Sequence, residues 1–162
     1  MRITEKDDTV LLLSPAHLAG LMRAVLEKGA KFRFTANGES MAPFIRNGDI
    51  IVVSPVPERG VRNGDVVVFR NAADGVMVHR IVRRRGGKVL LKGDNNPRRD
   101  GIFSEGNIIG VVTTVERGGR KIWHGGQGVA WLSASGLLNR LILPALRFVK
   151  RQMRGFSLCQ FF

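Results

Sequence analysis

The sequence predicts a mainly β, antiparallel domain preceded by an amphipathic helix and followed by a basic, apolar helical tail. Three observations carry this. Between residues 31 and 124, short apolar runs rich in β-branched residues alternate with turns rich in Gly, Asn and Asp. No helical period intervenes, which is the pattern of antiparallel strands rather than of βαβ units. Before residue 31 the apolar spacing is helical, and after the cluster Gly125-Gly126-Gln127-Gly128 the chain becomes apolar and basic. The 162 residues are 44% hydrophobic and 24% charged, enough for one domain with a real core.

In order, Ser14-Pro15 is a helix start, serine as N-cap and proline in the first turn. Leu18, Leu21, Met22, Val25 and Leu26 follow at helical spacing, and Gly29 ends the run. Lys31–Thr35 alternates with period two and reads as a strand. Residues 38–49 form a glycine-led loop carrying Ser40, and Asp49–Ser54 is a buried strand. After a polar connection, Gly64–Arg70 repeats the Gly-Asp-plus-apolar pattern of Gly48–Val53, a local echo that asks for two equivalent tight turns. Val76–Val82, Lys88–Lys92 and Asn107–Val115 are further strands, the last a partner for Lys121-Ile122-Trp123. Residues 93–101 read as a polar loop at the surface or along a cleft. The expected division is a helical segment 1–30, a β domain 31–124 and a tail 125–162.

Net charge is +13, but its distribution is uneven. The last acid is Glu116, and about +8 falls in the 46 residues after it. A nucleic-acid partner would use such charge by releasing phosphate counterions. Charge on an apolar tail fits an anionic membrane surface better, so residues 129–154 are the expected peripheral contact and nucleic acid is not expected. Asn139, Arg140, Pro144 and Arg147 interrupt the apolar run from Val129 to Val149, which argues against a span. The mixed-charge N-terminus, with only Leu11-Leu12-Leu13 as an apolar run, predicts neither a signal peptide nor an N-terminal span. The expected location is the cytoplasm or the membrane periphery. Cys159 alone makes no disulfide framework, and the scattered His17, His79 and His124 suggest no metal or cofactor site.

Ser40 is a nucleophile only if a base takes its proton, and His79 is the candidate. Such a base needs an orienting carboxylate, for which Asp94 and Asp100 both qualify. Taken alone, a histidine on a strand of valines is more often structural.

Six blocks add to that reading: Gly38–Pro43, Asn47–Ile51, Gly64–Val67, Val78-His79-Arg80-Ile81-Val82, Lys92-Gly93-Asp94-Asn95-Asn96 and Asn107–Val112. In this order they resemble the signal peptidase I / LexA-type serine peptidase superfamily, over about residues 31 to 116. The histidine places the resemblance in the archaeal and endoplasmic-reticulum signal peptidase branch, where other branches use lysine. It implies the superfamily's β fold, Ser40 as nucleophile, His79 as general base and Asp100 as orienting acid. Asp94 would support the loop or share that role. It also implies cleavage of a signal or leader peptide after small residues. Two departures stand out. Gly38 occupies a position where signal peptidases carry a serine hydroxyl, and no N-terminal anchor is evident. Two alternatives are a self-cleaving repressor-like protein, for which Ala19-Gly20 is the small-Gly bond, and a non-catalytic β module that binds membrane or nucleic acid through its tail.

Overall fold

The computed structural model describes residues 15–71 and 75–124. Ser14, the expected N-cap, and the expected helical tail lie outside the described residues. The elements are α1 (Pro15–Glu27), β1 (Phe32–Thr35), β2 (Ile50–Ser54), β3 (Val66–Arg70), β4 (Val76–Arg85), β5 (Lys88–Lys92) and β6 (Gly101–Ser104). A 3₁₀ turn at Glu105–Asn107 leads into β7 (Ile108–Arg117), and β8 (Arg120–His124) follows. All strand pairs are antiparallel, in the order β1-β2-β7-β3-β4-β5-β6, with β8 on β7. The mainly β expectation holds.

The long strand β7 is the keel. Val111 lies opposite both Ser54 of β2 and Val67 of β3. Side chains alternate across the sheet, so two cores form, one on each face. The first gathers Ile51, Val53, Val66 and Val68 with Met41 and Ile45 of the serine loop. Ala19, Met22 and Leu26 of α1 belong to it too, so the helical segment and the β domain share one core. Their spacing of three and four residues is the inward stripe expected of an amphipathic helix. Gly29 closes α1, its N–H donating to Leu26 O at 2.9 Å. The second core joins Val67, Phe69, Ile81, Val89 and Leu91.

Gly110 is where α1 crosses β7. A Cβ there would stand 2.6 Å from Val53 Cγ1 and 2.8 Å from Leu26 Cδ1, inside van der Waals contact. The absent side chain lets helix and sheet approach.

The Gly-Asp echo is a structural one. Arg46-Asn47-Gly48-Asp49 and Arg62-Asn63-Gly64-Asp65 form the same turn, with glycine φ of 86° and 93°, which favours glycine. In each, the arginine N–H donates to the aspartate Oδ2 at 2.8 Å, and the aspartate N–H returns to the arginine carbonyl at 3.1 Å. In each, the glycine N–H and aspartate carbonyl pair with one residue of the neighbouring chain, Ala36 or Ile81. The two turns launch β2 and β3, which flank the keel.

Two elements differ from expectation. β4 runs three residues past Val82, because Arg83–Arg85 pair with β5 after a bulge. β6 lies where only a polar loop was expected to end. It is four residues long with Ile102 70% exposed, so it carries no alternating apolar signal.

Candidate active site

Ser40 sits in the loop joining β1 to β2, and that loop is held at several points. Gly38 N–H donates to Asn47 Oδ1 at 3.0 Å, closing its neck. Met41 and Ile45 are buried in the first core, and the Ala42–Pro43 peptide between them is cis. At its far end Asp49, 2% exposed, takes Arg117 of β7 on both oxygens at 2.7 Å. That pairing holds the Asp49 carboxyl below the usual carboxylate range, the Arg117 hydrogen bond being the main cause. Arg117 also reaches the Phe44 carbonyl at 3.5 Å.

His79 lies on β4 opposite Val67, 1% exposed, its ring centroid 5.9 Å from that of Phe69. Its Nε2 is 3.1 Å from Ser40 Oγ. Its Nδ1 is 2.8 Å from Asp100 Oδ2, an ion-pair distance but without the aligned N–H···O geometry of a full hydrogen bond. We read this as a short electrostatic contact, because separation governs charge interaction more than angle does. A carboxylate at Nδ1 selects the tautomer with the proton there, leaving Nε2 as an acceptor facing Ser40. Burial lowers the His79 pKa below the ordinary 6.5, and Asp100 opposes that shift in part. The imidazole is therefore neutral at pH 7 and able to accept a proton.

The 93–100 loop connects acid and nucleophile. Asp100 accepts from Gly93 N–H at 3.1 Å and from Asn96 Nδ2 at 3.4 Å. Asn95 donates its backbone N–H to Ser40 O at 2.8 Å and its side-chain amide to Glu39 O at 3.0 Å. Asp94 N–H meets Met41 Sδ at 3.5 Å. Gly93 fits too closely for any side chain, since a Cβ would lie 2.7 Å from Ser40 O.

Of the four residues singled out in the sequence, the structure brings Ser40, His79 and Asp100 into one row. Asp94 stands beside them, gripped by Arg80 through Oδ1 at 2.8 Å and Oδ2 at 2.6 Å. Arg80 also donates to Gly64 O at 2.8 Å, and its guanidinium carbon lies 5.6 Å from the centre of the Phe44 ring. Arg80, Asn95 and Arg117 went unremarked as functional residues. The first two had a signal, each lying inside a block already noted. Arg117 had none, being 68 residues from Asp49.

The row opens on a cleft of about 330 Å³ lined by Phe34, Ala36, Gly38, Met41, Val76 and Val78, among others. Among the described residues, two of its walls are unpaired strand edges: β1 pairs only with β2, and Val76–His79 pair only with β3, because β5 begins its pairing at Arg80. Open edges facing an apolar cleft suit an extended peptide. The Ala19–Gly20 bond lies within α1, with Ala19 buried, a conformation that offers no extended chain to a peptidase. Among the described residues no group of three or more His, Cys, Asp or Glu is placed to hold a metal ion.

The chain is similar to known peptidases. The model of the Peptidase S24-like family matches residues 13–113. The chain is also 36% identical over 74 residues to the signal peptidase complex catalytic subunit SEC11C of Homo sapiens, Mus musculus and Canis lupus familiaris. That similarity covers 41% of this chain and 38% of each relative. Within the described residues no helix is long and apolar enough to cross a membrane.

Proposed function

The chain belongs to the Peptidase S24-like family, and from that premise we propose that it is a serine endopeptidase of signal peptidase type. In this reading Ser40 is the nucleophile, His79 the general base and Asp100 the residue that orients it. The catalytic body is residues 31–124, with 1–30 as a helical segment before it and 125–162 as a tail. The observation that carries the proposal is the row Asp100–His79–Ser40 at 2.8 and 3.1 Å, set at the wall of an apolar cleft with open strand edges.

The substrate lies extended between the edges of β1 and β4, its scissile carbonyl against Ser40. His79 Nε2 takes the Ser40 proton as Oγ bonds to the carbonyl carbon, and Asp100 stabilises the imidazolium that forms. The oxyanion is held by backbone N–H groups, including that of Ser40, because Gly38 offers no hydroxyl and its own N–H is engaged by Asn47. The protonated Nε2 then passes its proton to the departing amine, and water attacks the acyl-enzyme by the same route in reverse. Desolvation of His79 serves this cycle by keeping it unprotonated between turnovers at neutral pH.

The substrate is a signal or leader peptide cut after small residues, by similarity to SEC11C, and residues 129–154 supply peripheral membrane contact. The test is N-terminal profiling of cells carrying the active protein or Ser40→Ala. New N-termini that follow small residues and vanish in Ser40→Ala are expected. Identical profiles for the two proteins would refute the proposal.

A further inference from the structure

The sheet face formed by β4, β5 and β6 beyond the active site carries a second kind of surface. Register fixes which side chains share it. Arg83 lies opposite Leu90, which lies opposite Ile102, and Arg85 lies opposite Lys88, which lies opposite Ser104. Side chains of directly opposed residues project to the same side, so these six form one patch. The reverse face at the same level holds Val89 and Phe103 in the second core, with Arg84 paired to Glu105. Arg83, Arg85 and Lys88 are exposed, and Ile102 is 70% exposed. Among the described residues none of these three cations takes part in an ion pair. No acidic side chain occupies any of the six positions.

We infer that this patch docks on an anionic lipid bilayer. Its chemistry is complementary to one: the adjacent aliphatic side chains of Leu90 and Ile102 enter the acyl boundary while three cations beside them meet lipid phosphates. Long basic side chains bury their stems and keep their charges at headgroup level, which suits their place beside Leu90 and Ile102. A nucleic acid fits less well, because a sheet that binds single strands stacks bases on aromatic rings. This patch has none. Arg83 stands four residues along β4 from His79, roughly 13 Å at the rise of a strand. Docking here therefore sets the cleft close to the bilayer surface. The inference does not depend on catalysis and stands apart from the tail, which lies in a different part of the chain.

The test is co-sedimentation of the full chain with phosphatidylcholine vesicles, with and without phosphatidylglycerol, at low ionic strength. The wild type and Ser40→Ala are expected to bind the anionic vesicles equally and the neutral ones weakly. Arg83→Gln/Arg85→Gln/Lys88→Gln is expected to weaken partitioning by on the order of 100-fold, about fivefold for each cation near the surface. Ile102→Asn, on an exposed edge position, is expected to weaken it several-fold with the circular dichroism spectrum unchanged. A matched tail variant, Arg147→Gln/Lys150→Gln/Arg151→Gln/Arg154→Gln, separates the two basic regions. The inference is overturned if the patch variant binds as wild type does, or if only the tail variant loses binding. It is equally overturned if the wild type ignores anionic vesicles, whether or not it binds single-stranded nucleic acid.

Discussion

Arg80 closes on both oxygens of Asp94 inside the protein, and the residue before it on β4 is the histidine that faces Ser40. Both partners are under 6% exposed at the side chain. Such a pair is costly to break, because removing one member leaves the other as an uncompensated buried charge. Arg80→Ala and Asp94→Ala are each expected to lower stability by about 3–5 kcal/mol, measured by chemical denaturation. Arg80→Lys rescues only part, since a single ammonium does not reproduce the two-pronged contact.

Asp100 should behave in the opposite way. It lies nearer the surface than Asp94 and faces the ring nitrogen, so Asp100→Asn is expected to leave the fold in place. The same change should lower kcat by about 10³–10⁴-fold through loss of the orienting carboxylate. The pH profile provides a second readout. Asp100 raises the His79 pKa against the larger lowering by burial. The acid limb of kcat/KM should lie below pH 6.5 in the wild type and move lower still in Asp100→Asn.

The same shift is linked to stability. A folded His79 pKa below its unfolded value means that the unfolded chain binds more protons in acid. The His79 contribution is fully present above about pH 6.5 and is lost as pH falls through the lower folded value. Asp49 adds a second such loss at lower pH, because Arg117 holds its carboxyl below 3.8. Arg117→Ala should flatten the pH dependence of denaturation below pH 4, the range where Asp49 titrates, while leaving the His79 step unchanged.

These contrasts mark what a linear reading can reach. β2 and β3 were legible because Ile50–Val53 and Val66–Phe69 are compact β-branched or aromatic runs, each opened by Gly-Asp. β6 was not, because one exposed isoleucine in four residues leaves no periodicity. The twin Arg-Asn-Gly-Asp turns were visible as an echo, but not the hydrogen bonds that make them equivalent. For the site, residue types and block order pointed to Ser40 and His79, yet nothing in a separation of 39 residues says they meet. The carboxylates were harder still. Asp94 and Asp100 share one loop, and only the position of Arg80 sends the first toward a guanidinium and leaves the second facing the ring. Arg117 was invisible for the same reason: an ion pair across 68 residues is a product of strand order.

Two glycines give a clean contrast of place. Gly93→Ala would put a methyl 2.7 Å from Ser40 O and 2.8 Å from Asn96 Nδ2, so it should displace the nucleophile loop and cut activity. Gly110→Ala would drive a methyl against Val53 and Leu26 of the first core and against the Ser54 carbonyl. Overpacking of this kind costs about 1–3 kcal/mol or more, so its effect should appear first as lost thermal stability.

Activation of Ser40 by His79 is read most plainly by covalent trapping of the serine. Wild type, Ser40→Ala and His79→Ala are each incubated with an acylating peptidase inhibitor, and the adduct is located by peptide mass mapping. One adduct on Ser40 in the wild type is expected, none in Ser40→Ala, and acylation of His79→Ala slowed by about 10²–10⁴-fold, the usual worth of a general base. An adduct elsewhere in the wild type, or acylation of His79→Ala at the wild-type rate, would contradict it.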